Sequence, residues 1–393
     1  MNKIAIIGGG PAGLMSAITA KRNNPNLSII IFEKNDIAST LLPTGGGRCN
    51  LSYKENDIKT FAQNYPRGEK FLYSIFNQFF LNDTIKFFNS IGIKTYTQND
   101  KRIFPTTDKS LDVIFALKNE VQRLAIPIKK EEVTKIKKQE NVFEINGQIF
   151  SKVVVATGGK KSELLNSIQE LGIDVLEQKQ ALGSLEIKEK YFSTISGVSL
   201  QNIQATAFLG KKKQTFCEDI LFTHKGISGP LAYKTSSIFS RENFDANNPI
   251  VLNLCFIKEN ELNLQNLLDK NPQKEIINLV ANFIPKSMTK LLLEQNNIDT
   301  NKKCHQINKE ERKKITKFLA NLELHITNFI KDGEIVSSGG INLNEINSKT
   351  MESKKIQGLF FCGEIINVDG FCGGFNLQNC WSTGYVAGIS LSK

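Results

Sequence analysis

Apolar residues recur in two rhythms along this chain. Ile4 to Ile7 is a short apolar run that breaks into glycines. Leu14, Ala17 and Ile18 then keep helical spacing, and a second apolar run covers Leu27 to Phe32. This is a strand–helix–strand pattern. Helical spacing returns from Glu69 to Ile91, where Phe71, Leu72, Ile75, Phe76, Phe79 and Phe80 make one broad apolar face. That predicts a single helix whose aromatic residues belong to a core. Residues 94–104 predict a strand pair turning at Asn99-Asp100, and Ser110 to Leu124 a helix capped by Ser110. Residues 128–150 alternate as a small antiparallel ribbon turning near Gly147. Lys152 to Val155 is continuously apolar after its lysine, as a buried parallel strand should be, and ends in Ala156-Thr-Gly-Gly159.

The texture changes after about residue 185. Short alternating runs fill 186–256, including Gly197 to Leu209 and Gln214 to Phe222. Helical, polar-rich periods follow at Glu261–Asp269, Pro272–Phe283, Lys286–Gln295 and Lys309–Leu322. Residues 323–340 return to strand texture. The chain closes with a strand, Leu359–Cys362, a glycine-rich loop and an amphipathic helix from Phe375 to about Ser390. The fold expected is α/β. Residues 1–185 and 341–393 form one discontinuous domain. A β-rich insertion covers 186–257 and 323–340, and a helical insertion covers 258–322.

The glycines carry the first chemistry. Gly8, Gly10 and Gly13 make G-x-G-x-x-G between a strand and a helix, with Pro11 and Ala12 inside the motif. Such a turn brings backbone N–H groups and a helix N-terminus to a pyrophosphate. Glu33 ends the second strand twenty residues past Gly13, where an acid would hold a ribose hydroxyl. The alternative is a βαβ unit with no ligand. The acid favours an adenosine lacking a 2′-phosphate, hence FAD or NAD. Thr44-Gly-Gly-Gly-Arg-Cys-Asn50 suits a backbone lying flat on a ligand, and Arg48, Cys49 and Asn50 bring polar chemistry to it. A plain surface turn is the bland alternative. Ala156-Thr157-Gly158-Gly159 ends a strand where a doubly wound sheet touches a dinucleotide a second time. Gly363-Glu364, Asp369 and the Gly373-Gly374 pair that launches the last helix make a third contact. A nicotinamide dehydrogenase would not need that third contact, so FAD is favoured.

Composition changes the picture little. With 393 residues and 40% hydrophobic content, the chain can build two or three ordinary globular domains. No apolar run is long enough to span a membrane, and residues 1–10 enter a strand directly, so a cytoplasmic protein without a signal peptide is expected. The seven cysteines are scattered, none with metal spacing, and read as reduced thiols. The net charge is +11, which suits a polyanionic partner. Yet only seven of the 50 basic residues are arginine, and Asn, Ile and Phe are frequent. An AT-rich codon bias explains such a lysine excess without any function.

These strings together resemble a family of bacterial FAD-dependent flavoproteins labelled NAD(P)/FAD-dependent oxidoreductases. The resemblance spans nearly the whole chain. It rests on Gly8–Gly13, Thr44–Asn50, Ala156–Gly159, Phe222-Thr-His-Lys-Gly-Ile-Ser-Gly-Pro230, Gly339-Gly340, Thr350-Met-Glu-Ser-Lys354 and the C-terminal Gly-Gly-Phe-Asn-Leu-Gln ending at Gln378. It implies a glutathione-reductase-like FAD-binding Rossmann domain, interrupted by a β-barrel-like domain and a helical domain. Lys34, Gly45, Gly46, Asn376, Leu377 and Gln378 join the residues named above as expected contacts of a non-covalent FAD. Cys372 stands where the family pattern has a small hydroxylated residue. Members are described as aminoacetone-type oxidases, bile-acid-pathway reductases and dihydrouridine synthases acting on large-subunit ribosomal RNA.

The activity expected here is reduction of a uridine in that RNA or its precursor. Hydride would pass from flavin N5 to C6, with an acid protonating C5. Cys49 is the first candidate acid, with Arg48 beside it to hold a phosphate, bind flavin or depress the thiol pKa. Otherwise Cys49 packs silently against the cofactor. His224 is the second candidate, and Cys362 reads as core. No second G-x-G-x-x-G occurs in the insertion, so NADH or NADPH would visit the flavin face directly as a transient reductant, or another protein would supply electrons. The alternatives are a small-molecule amine oxidase or enoate-type reductase, and a flavin-binding protein without turnover.

Overall fold

The computed structural model describes residues 3–159, 162–330 and 336–393. The chain divides into two compact units, residues 1–179 with 336–393, and residues 180–335. Their boundaries lie a few residues from the change in sequence texture. Strand Val336–Ile341 belongs with the first unit, whereas the pattern had grouped it with the insertion. Residues 331–335 of that predicted strand stretch lie outside the described residues.

The first unit is built on five parallel strands: β1 (Lys3–Ile7), β2 (Ser28–Phe32), β6 (Ile128–Lys129), β10 (Lys152–Val155) and β19 (Leu359–Phe361). Their order is β19-β10-β1-β2-β6. β1, β10 and β19 are almost wholly apolar because both faces of such a sheet are covered, with helix α1 (Pro11–Asn23) and an antiparallel ribbon packed on it. Helix α1 and the C-terminal helix α12 (Phe375–Leu391) pack against each other very closely. A Cβ on Gly384 would lie 2.4 Å from the Ala12 carbonyl oxygen, so only glycine permits this crossing. Besides a two-stranded sheet of Val175–Ala181 and Val336–Ile341 there are two antiparallel trios: β3 (Ser52–Tyr53), β4 (Thr95–Thr97) and β5 (Arg102–Pro105), then β7 (Lys137–Gln139), β8 (Val142–Ile145) and β9 (Gln148–Phe150). The latter is the expected ribbon turning at Gly147, except that residues 128–129 leave it for the main sheet.

Two local expectations need correction. The stretch 69–91 is two helices, α3 (Glu69–Phe76) and α4 (Leu81–Ser90). The Asp83 carboxylate accepts the Phe80 N–H at 3.0 Å and starts the second helix afresh. The break turns Phe80 edge-on to Phe61, at 4.9 Å between centroids. Ser110 is the first residue of α5 (Ser110–Arg123), not its cap. Its N–H donates to the Gly47 carbonyl at 2.9 Å and its hydroxyl to the Leu42 carbonyl at 3.0 Å. It ties the glycine loop to the helix instead.

The second unit holds a closed six-stranded barrel. Its strands are β12 (Leu185–Ile187), β13 (Ser199–Leu209), β14 (Lys212–Phe222), β15 (Gly226–Ser228), β16 (Ile250–Cys255) and β17 (Leu322–Phe329). Four helices between Leu264 and Ala320 share one hydrophobic core with it. Among the described residues no helix is long and apolar enough to cross a membrane.

Candidate FAD site

The parallel register builds the site. Phe361 pairs with Val155, Val155 with Ile7, and Ile7 with Phe32. The residues that follow each strand are therefore side by side: Cys362-Gly363, Ala156, Gly8 and Glu33. Gly8 has φ of +106°, and a Cβ there would stand 2.3 Å from the Ala156 carbonyl oxygen. A Cβ on Gly13 would stand 2.0 Å from the Gly8 carbonyl oxygen. The turn is thus compressed between β10 and the start of α1. Gly10 precedes α1 with no side-chain cap, Pro11 opens the helix, and its first turn has no acid. The helix end presents unopposed N–H groups to an anion.

Glu33 reaches back to this turn. One carboxylate oxygen accepts the Gly9 N–H at 2.7 Å and the other the Asn35 N–H at 2.8 Å. Each oxygen keeps capacity for a further donor, as a ribose hydroxyl would require. Lys34 points elsewhere, to Glu132 at 2.8 Å in solvent. Thr157 is exposed, Gly158 has φ of +78° with open space around it, and Gly159 is buried.

The second and third motifs meet. A Cβ on Gly374 would lie 2.9 Å from Asn50 Oδ1, so the start of α12 abuts the Thr44–Asn50 loop. Asn50 Oδ1 is buried without a hydrogen-bond partner. So are both amide atoms of Asn379, in the second turn of α12. Buried amide atoms cost free energy unless something satisfies them. These orphans, with the two glycine turns, fit a large polar ligand of the FAD kind. Asn379 was missed in the sequence; the one signal was an amide on the apolar side of the last helix.

Several expected contacts have structural partners. Gln378 is wholly buried and bonds Ser52, Thr84 and Ser382. Asn376 closes the preceding loop on the N–H and carbonyl of Gly370, each at 2.7 Å. Asp369 is wholly buried and receives two donors from Arg67. Gly363 donates its N–H to Thr383 Oγ1 at 2.9 Å, which fixes the loop carrying Glu364 to α12. Gly373 has φ of +142°, and Leu377 is half-buried on the first turn of α12.

Cys49 is corrected. It has φ of +64° and is 0% exposed. Burial pushes its thiol up from 9.0 to about 12, against a smaller downward pull from the Thr44 hydroxyl. Arg48 does not depress it: its guanidinium lies 4.1 Å over the Phe104 ring. The thiol therefore keeps its proton at neutral pH and is sealed from solvent. Native protein treated with iodoacetamide at pH 8 should label the exposed Cys217 and Cys372 and leave Cys49 unmodified until denatured. The shift also sets a pH window. The unfolded thiol ionises above about 9 while the folded one holds its proton. Stability should then fall by about 1.4 kcal/mol per pH unit for this group between roughly 9 and 12. His224 lies in the second unit, exposed in the turn between β14 and β15.

Residues 2–390 match the family described as HI0933-like protein Rossmann domain. The chain belongs to that family. It is an FAD-dependent oxidoreductase. The 3-dehydro-bile acid delta(4,6)-reductase of Clostridium scindens is 29% identical to it, over 100% of both chains. The ribosomal RNA dihydrouridine synthase of Haemophilus influenzae is 27% identical, over 99% of this chain and 98% of that one. Among solved structures, the 3-ketosteroid delta1-dehydrogenase of Sterolibacterium denitrificans superimposes with a TM-score of 0.50, at 12% identity and 100% coverage of both chains. That last likeness concerns the fold alone. Family membership supports FAD as the cofactor, and the glycine turns at the C-terminal ends of the parallel strands fit it.

Proposed function

We propose that this protein reduces a uridine of large-subunit ribosomal RNA to dihydrouridine. The observation that carries the reading is the end-to-end similarity to a ribosomal RNA dihydrouridine synthase, which covers 98% of that relative. The net charge of +11 suits such a polyanion, and the RNA substrate implies a cytoplasmic protein. When bound, FAD supplies two-electron hydride chemistry. The chain's Gly8–Gly13 turn and Glu33 would hold its adenosine half, and the Thr44–Asn50 loop with the start of α12 the rest. Uracil C5=C6 is conjugated to the C4 carbonyl, so its reduction also needs a proton at C5. NADH or NADPH is the reductant, visiting the cofactor directly.

A second reading is favoured by the bile-acid relative: reduction of a small enone, the same addition across a carbonyl-conjugated double bond. The two separate in one experiment. FAD-loaded protein is reduced anaerobically and mixed with ribosomal RNA or with a 3-keto-4-ene steroid. Return of flavin absorbance with RNA only is expected. Return with the steroid only would overturn the RNA reading.

A further inference from the structure

Two of the chain's seven arginines converge on one aromatic ring at the lip of the glycine loop. Arg48 lies 4.1 Å and Arg102 5.5 Å from the Phe104 ring centroid. Phe104 is itself buried at the foot of the loop: a Cβ on Gly45 would meet its ring at 2.8 Å. Phe104 and Arg102 belong to β5, which pairs with β3 directly after the loop.

Their hydrogen bonds are only partly spent. Arg48 Nε donates to the Gly45 carbonyl at 3.2 Å. Its nearest acid is Asp108, with Nη1 to Oδ1 at 3.9 Å, too long for a hydrogen bond. That oxygen instead accepts the Tyr96 hydroxyl at 2.8 Å. The terminal amino groups of Arg48 make no hydrogen bond among the described residues, on a side chain 32% exposed. Arg102 is tethered through Nε and Nη2 to Asp100, each at 2.7 Å, which leaves its Nη1 edge.

We propose that Arg48 and Arg102 form a phosphate-ester site beside the FAD loop. Both guanidiniums pack against Phe104, and a guanidinium is a planar fork that takes phosphate oxygens in pairs. A backbone phosphate of the substrate RNA is the ligand that the proposed function calls for, so its source rests on that reading. The phosphate of a nicotinamide dinucleotide has the same chemistry, and the test separates the two.

Wild-type, Arg102→Gln and Arg102→Lys proteins, all FAD-loaded, are titrated with a short uridine-containing single-stranded RNA over a salt series. In parallel, anaerobic bleaching of the flavin is followed against NADPH concentration. Arg102 is the position to change because it lies outside the glycine loop, and FAD content should not vary. Arg102→Gln should reduce the slope of log K against log salt by about 0.7, the value for one phosphate on a single strand. Arg102→Lys keeps the charge and its tie to Asp100; it should keep the slope and lose affinity with the fork. This variant decides the matter if Arg102→Gln fails to fold. A rise in half-saturating NADPH with unchanged RNA binding overturns the RNA source and leaves the site to the reductant. No change in either titration overturns the site. Neither result depends on whether uridine is reduced, so failure of the proposed reaction would show separately in the ribosomal RNA.

Discussion

Gly10→Ala should purify as a folded but nearly colourless protein. A Cβ at this position meets nothing closer than Thr40 Oγ1 at 3.8 Å, an ordinary contact, and Gly10 has φ of −78°. The polypeptide alone therefore tolerates alanine. A pyrophosphate drawn against the start of α1 does not, because it needs the backbone without a methyl group. FAD affinity should fall at least tenfold, about 1.4 kcal/mol or more, with apo-protein melting unchanged. Gly13→Ala is the contrasting variant. Its Cβ would fall 2.0 Å from a backbone oxygen that no side-chain rotation can move. That variant should lose stability as well as FAD, by roughly 1–3 kcal/mol or more. Equal retention of flavin by Gly10→Ala and wild type would mean the motif is a structural turn only. Titrating apo-protein with FAD and melting each variant measure both quantities.

Arg67→Met should be among the most damaging single changes outside the glycine turns. Asp369 is wholly buried, and Arg67 is 14% exposed and donates to it twice. The pair pins the loop before Gly373-Gly374 to the segment just before α3. Removing only the arginine leaves a carboxylate in the interior, typically a loss of about 3–5 kcal/mol. The double variant Arg67→Met with Asp369→Leu should regain much of this, because no buried charge remains. Urea unfolding of the three proteins gives the coupling directly. A loss under about 1 kcal/mol for Arg67→Met would show that solvent reaches the pair.

Much of this arrangement was legible in the residues. Apolar runs ending in glycine or an acid marked β1, β2, β10 and β19 because a sheet covered on both faces needs such runs. Glycine pairs marked the turns because only they allow the approaches at Gly8 and Gly374. The barrel showed as alternation in 186–256, since its strands have one face inside. Other features depend on tertiary partners that no spacing reports. The break in residues 77–80 brings Phe80 edge-on to Phe61, a contact that the helical spacing of 69–91 did not report. Arg67 and Asp369 are 302 positions apart and gave no local pattern. Cys49 carried the signature of a reactive thiol in sequence, yet burial decides its chemistry. Gln378 and Asn376 were expected as FAD contacts from the family resemblance, and their partners Ser52, Thr84 and Gly370 lie too far off in sequence or in too irregular a loop for spacing to report.

The most direct measurement is mass spectrometry of ribosomal RNA from cells with and without the gene. The account predicts one dihydrouridine in large-subunit RNA that disappears on deletion. It should return with the wild-type gene, return with Cys49→Ala, and return poorly with Gly10→Ala. A dihydrouridine profile identical in both strains would contradict the central claim and leave the small-molecule enone reductase as the reading.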